Sequence, residues 1–65
     1  MTKSGLVDIE VQVHAITERA ILVSDDGEEE NAVWLPLSQI EVESPEKKIT
    51  TITMPEWLAE QRGLV

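Results

Sequence analysis

The sequence predicts a mainly β domain: about five short antiparallel strands in one bent sheet or small barrel, followed by one short C-terminal helix. Three observations carry this. Apolar and polar residues alternate strictly over the first strand-length segment. Turn signals recur about every 8–12 residues thereafter. A proline and a glycine frame a short apolar stretch at the C-terminal end, as they frame a helix.

From Leu6 onward, Val7, Ile9, Val11 and Val13 alternate with Asp8, Glu10, Gln12 and His14. A period of two puts alternate side chains on opposite faces, one buried and one wet. After Thr17-Glu18-Arg19 comes Ala20-Ile21-Leu22-Val23, apolar on both faces, which predicts a central strand covered on both sides. Asp26-Gly27 supplies the turn chemistry of a hairpin. Ala32-Val33-Trp34-Leu35 follows as a third strand, stopped by Pro36, which has no backbone donor.

Pro36-Leu37-Ser38-Gln39 reads as a tight turn or one turn of 3₁₀ helix. Alternation resumes at Ile40-Glu41-Val42-Glu43, is broken by Ser44-Pro45-Glu46-Lys47, and gives way to a threonine- and isoleucine-rich strand from Ile49 to Met54. Pro55 suits the first turn of a helix, and Thr53 with Glu56 matches a capping box. Met54, preceding a proline, resists helical angles, so Met54 is the alternative cap. Trp57, Leu58 and Gln61 fall along one side, Gly63 is a left-handed stop, and Leu64 folds back toward Leu58 or Ala59. A helix this short needs an anchor, for which Trp57 and Leu58 are the expected residues.

The chain therefore divides into a flexible start over residues 1–5, a sheet or barrel of SH3-like or OB-like kind over 6–54, and a helix over 55–63. Sixty-five residues make one domain, burying only about 60% of the unfolded surface. No cysteine is present to staple so small a core, and a homo-oligomer is one remedy. Absence of cysteine fits a reducing compartment. The start Met1-Thr2-Lys3-Ser4-Gly5 carries no apolar run like a signal peptide, and no segment approaches the ~18 apolar residues that cross a bilayer. The expectation is a soluble, cytoplasmic protein.

Thirteen acidic residues against five basic ones give a formal net charge of −8. Nucleic-acid binding draws affinity from Lys and Arg against phosphates, so this balance disfavours it. Anionic membranes are disfavoured for the same reason. A basic protein surface is the natural partner, because complementary charge steers encounter.

Little in the chain carries chemistry. Nucleophilic catalysis needs a nucleophile, a base and a group orienting the base. The one histidine, His14, sits on the polar side of the first strand as an ordinary surface residue, and no serine occupies a recognisable elbow. Paired carboxylates need a sheltered cleft to split their pKa values, and a chain of this length has little material for one. No catalytic residue, metal ligand or cofactor is expected. Asp25, Asp26, Glu28, Glu29 and Glu30 are hard oxygen ligands of the type calcium prefers. Yet Val23 stands where an EF-hand loop needs a ligand, and no helices flank the loop. These acids read as a solvated hairpin tip, an anionic knob for a basic groove, with Glu41 and Glu43 adding charge on a strand face. Trp34 and Trp57 are the only aromatic residues. At least one should fill the core; an exposed one, Trp34 foremost, would be an interface anchor.

Ala20-Ile21-Leu22-Val23, Trp34-Leu35-Pro36-Leu37-Ser38-Gln39-Ile40 and the stretch from Met54 through Pro55, Trp57, Leu58, Ala59 and Gly63 to Leu64 together resemble a group of small, mostly uncharacterised proteins of bacteria and of phages or prophages. The shared pattern is AILV, then WLPxSQ, then PxWLAxxxGL, and it covers most of the chain. The resemblance implies an accessory role and no particular chemistry.

These readings converge on a non-catalytic, acidic protein-interaction module. A sharper form is nucleic-acid mimicry, in which the acidic surface occupies a basic groove of an inhibited protein. The alternatives are a small nucleic-acid-binding barrel, which would gather Lys47, Lys48 and Arg19 or Arg62 near an exposed tryptophan, and a structural homo-oligomer.

Overall fold

Alternation in the first segment produces the longest strand, β1 (Leu6–Ile16), and this strand is the middle of the sheet. The computed structural model describes residues 5–64; residues 1–4 of the expected flexible start lie outside the described residues. β2 (Ala20–Ser24), β3 (Val33–Pro36), β4 (Glu41–Val42) and β5 (Ile49–Pro55) join β1 in one sheet of order β3-β2-β1-β5-β4. Every neighbouring pair is antiparallel. β3 and β4 are its two edges, so the sheet is open and does not close into a barrel.

Register assigns the faces. Val7, Ile9 and Val11 pair with Met54, Ile52 and Thr50. Val13 pairs with Val23, and Ile21 with Leu35. This set forms the inner face. Val11, Ile21, Val23, Leu35, Ile52 and Met54 are buried, with Val7, Ile9, Val13, Val33 and Val42 packed against them. Thr50 is the inner face's polar member, and its hydroxyl accepts the Ser44 N–H at 2.8 Å. A bulge at His14 shifts the β1–β2 register between Val13 and Ala15. The extra residue turns Ala15 to the outer face opposite Leu22 and sets Ile16 opposite Ile21. Thr17 closes the β1–β2 turn: its hydroxyl oxygen accepts the N–H groups of Arg19 and Ala20.

β2 is internal to the sheet, and over residues 20–23 only one of its sides is fully covered. Ile21 and Val23 are buried, whereas Ala20 and Leu22 on the other face are half-buried. The expected fourth strand shrinks to two residues, because the 3₁₀ turn Leu37–Gln39 and the break at Ser44 leave it no more.

The helix α1 (Glu56–Gln61) is shorter than the span 55–63. Pro55 has ψ of 142°, is extended and pairs with Leu6, so it caps the helix without a side-chain bond. No capping box forms, because Thr53 lies in β5 opposite Asp8 and its hydroxyl donates to the Asp8 carboxylate at 2.5 Å. The Glu56 N–H instead donates to the Gly5 carbonyl at 2.7 Å, tying the residue just ahead of β1 to the helix. Gly63 stops the helix with φ of +75°. Arg62 and Gly63 donate to the Leu58 and Glu60 carbonyls, and Leu64 to that of Ala59, which is a Schellman ending.

Leu58, Ala59 and Leu64 press onto the inner face and complete the core. Trp57 does not anchor the helix; it is 56% exposed. With about 100° between successive residues, a helix that points Leu58 and Ala59 at the sheet turns Trp57 away. Trp34 is also outside the core, 46% exposed, because Val33 and Leu35 take the inner side of β3. The expectation that at least one tryptophan fills the core is corrected: the core is wholly aliphatic and thioether.

Candidate interaction face

The outer face of the sheet follows from the same register. Asp8 stands opposite Thr53, and Thr53 opposite Glu41. Glu10 stands opposite Thr51, whose carbonyl accepts the Glu43 N–H at 3.0 Å. Two parallel rows result, Glu41–Thr53–Asp8 and Glu43–Thr51–Glu10. Strands lie ~4.8 Å apart and alternate residues ~6.8 Å apart. Four exposed carboxylates thus occupy the corners of a patch of about 7 by 10 Å, with a threonine between each cross-strand pair. Glu41, Glu43, Thr51 and Thr53 line a shallow groove along the β4 edge.

The acidic loop over residues 25–32 folds back on this outer face. Gly27, with φ of +80°, lies so close to Gln12 that a Cβ there would come within 3.2 Å of the Gln12 side-chain oxygen. Gln12 belongs to the outer face, one step beyond Glu10. Beneath the loop, Ser24 is fully buried and shares a 2.8 Å hydrogen bond with His14 Nε2. The surface histidine of the sequence reading is therefore half-buried and partnered. The pair has the composition of a nucleophile and its base, but a hydroxyl with no exposed surface cannot meet a substrate. Here it satisfies a buried polar group beside the bulge.

Asp26 organises the loop from within. Its carboxylate accepts the Glu28 N–H at 2.9 Å and the Asn31 side-chain N–H at 2.8 Å. These bonds, the Glu28 one foremost, hold its carboxyl below the ordinary aspartate value. A 3₁₀ turn, Glu29–Asn31, follows and carries the chain into β3. Asp25, Glu28, Glu29 and Glu30 remain exposed. The loop is thus a folded acidic knob seated over Gln12 and Ser24, next to the carboxylate rows.

Trp34 stands apart from those rows, on edge strand β3, opposite Leu22. The described basic residues are dispersed. Lys47 and Lys48 border a groove with His14 and Ile16, Arg19 lies beside Leu37 and Ser38, and Arg62 ends the helix. Among the described residues no group of three or more His, Asp or Glu side chains comes together as a set of metal ligands, and no helix is long and apolar enough to cross a membrane.

Sequence reasoning missed Asp8 and Glu10 as members of the acidic face. The signal was half present, since alternation already placed both on the wet side of β1. What the sequence withheld was that β5 lies between β1 and β4, bringing Asp8 and Glu10 to Glu41 and Glu43. Comparison of the chain with protein-family models, with curated proteins and with solved structures finds no match.

Proposed function

We propose that the protein is a non-catalytic acidic interaction module, an accessory protein of bacterial or phage origin, that docks on a basic protein surface. The observation carrying this reading is that the acidic loop folds, at Gly27 over Gln12, onto the face that carries the four strand carboxylates. A net charge of −8 concentrated in this way steers a basic partner to that face and slows encounter with anionic ones.

The sharper form, nucleic-acid mimicry, has a partial quantitative support. The carboxylates form two columns about 10 Å apart, Asp8 and Glu10 on β1 and Glu41 and Glu43 along the β4 edge, each with one charge per ~6.8 Å, about half the charge per length of one DNA strand. Mimicry predicts that nucleic acid and this protein exclude each other from one partner; a ternary complex would refute it.

The test of the main reading starts from partners retained on the tagged protein from nuclease-treated bacterial lysate and released by stepped salt. Against a partner so obtained, a variant with Asp25→Asn, Glu28→Gln, Glu29→Gln and Glu30→Gln should associate more slowly and with a shallower salt dependence. Asp26 is spared because it holds the loop together. Unchanged association rates in that variant sink the reading. The nucleic-acid alternative draws support from the two exposed tryptophans, and a low-salt gel shift separates it, with no shift expected. Light scattering across concentration separates the homo-oligomer.

A further inference from the structure

The outer face is divided in composition. Beyond the acidic loop, toward the β3 edge, the outward residues are Trp34, Leu22, Ala15, Ala20, Ala32 and Pro36, an apolar platform without a charged member. Trp34 is its one aromatic and its most exposed member, and all its immediate same-face neighbours but Ser24 are apolar.

Hydrogen-bond parity shows what this edge offers. The Leu37 N–H donates to the Arg19 carbonyl at 2.8 Å. In an antiparallel ladder, bonded and non-bonded pairs alternate. Leu35–Ile21 and Val33–Val23 are then the bonded pairs, and their backbone groups point into the sheet. Trp34 and Pro36 fall on the other parity. The Trp34 N–H and C=O therefore face away from β2, along an edge that no described strand covers, while the Pro36 carbonyl caps the 3₁₀ turn Leu37–Gln39. The Ala32 N–H, next on this parity, is already used by the Glu29 carbonyl at 3.0 Å. Pro36 and the 3₁₀ turn bound the edge on either side, leaving a short site centred on Trp34 rather than a long sticky strand.

The charge around the site selects its occupant. The acidic loop runs directly into β3, so Asp25, Glu28, Glu29 and Glu30 stand at the entrance to the edge. A second copy of this chain would bring another −8 to the same place. An extended segment carrying lysine or arginine meets the loop favourably and can lay an apolar side chain over Trp34.

We propose that the open β3 edge, anchored by Trp34, takes an extended basic segment of the partner protein as an added antiparallel or parallel strand. This rests on the interaction-module reading and specifies its mode: backbone pairing for affinity, the tryptophan for packing and the loop acids for charge.

The probe is a short synthetic peptide of alternating lysine and valine, with a second peptide N-methylated at alternate backbone nitrogens. The protein carries Trp57→Phe, so that Trp34 is the sole indole. Saturable binding at low salt should move the Trp34 amide and indole resonances. Affinity should fall at least tenfold with Trp34→Ala, as at an interface hot spot, and comparably with the N-methylated peptide, which leaves the protein unaltered. Equal affinity for both peptides overturns strand addition. Binding that ignores Trp34→Ala and instead moves the Glu10, Glu41 and Glu43 amides also overturns it, while leaving the acidic module standing. Absence of saturable binding to either peptide overturns both.

Discussion

Trp34 and Leu35 are adjacent in sequence and face opposite sides of β3, so exchanging each for alanine tests the whole register. Leu35 has no exposed surface, pairs with Ile21 and belongs to the buried core. Truncating a buried leucine removes its transfer energy and leaves a cavity, about 2–5 kcal/mol together. At ~0.05–0.15 kcal/mol per residue, a 65-residue chain has roughly 3–10 kcal/mol in all. Leu35→Ala therefore removes a fifth of the stability at the least, and at the upper end unfolds the protein. For a domain of this size each kcal/mol lowers Tm by about 4–8 °C, so a fall of at least ~8 °C is expected. Trp34 is 46% exposed and stands opposite Leu22 across the strand, a pair contributing about 1 kcal/mol or less. Urea titration followed by far-UV circular dichroism measures both variants. A one-residue slip in β3 would exchange the faces of the two side chains. A larger loss for Trp34→Ala than for Leu35→Ala would refute the register and, with it, the assignment of the outer face.

Three further outcomes follow from the geometry. His14→Ala strips the buried Ser24 hydroxyl of its partner and should destabilise by about 1–3 kcal/mol, whereas adding Ser24→Ala to it should recover part of that loss; additive effects in the double-mutant cycle would show that the bond is not made. Gly63→Ala should lose about 1 kcal/mol through its left-handed φ alone, since a Cβ there meets nothing within 4 Å; an unchanged midpoint in urea would show that the helix ends otherwise. The Asp26 carboxyl is depressed, so its ordering of the loop is complete above the ordinary aspartate value of about 3.9 and is lost as pH falls through the lower folded value. The Glu28 amide resonance should report that low midpoint and lose it in Asp26→Asn; a midpoint at or above 3.9 contradicts the bond.

Much of the fold is legible in local signals. The alternation from Val7 to Val13 defines both faces of β1, Gly27 and Pro36 mark the turns they were expected to mark, and Gly63 ends the helix. Non-local facts are the ones that escape. A period of two says which residues share a face of one strand but nothing about which strands are neighbours. Asp8 and Glu10 therefore could not be joined to Glu41 and Glu43 before the order β1-β5-β4 was known. The tryptophans escaped for a related reason. Ala32-Val33-Trp34-Leu35 is apolar throughout, so neither parity is marked as inner, and burial was decided by the partners Ile21 and Val23. At Pro55 two local rules competed. The restriction that proline places on Met54 agreed with the sheet, where Met54 is buried opposite Val7, and so the strand ran one residue longer than the helix signal suggested.

The placement of the aromatics bears on what the fold is for. A short chain without disulfides is starved of buried apolar surface, and its two tryptophans are the largest apolar side chains it owns. Folding stability alone would favour burying them. Instead the core is built from Val, Ile, Leu, Met and Ala, and both indoles stand about half exposed. The two are not equivalent. Trp57 stands between the exposed Glu56 and the buried Leu58 on a helix whose backbone bonds are internal or capped. Trp34 lies on an open strand edge, on an apolar platform, at the foot of an acidic loop, with backbone groups facing outward beside it. Surface apolar area of that kind is retained where another chain covers it, and only at Trp34 do packing, backbone pairing and charge all favour the same basic, extended visitor.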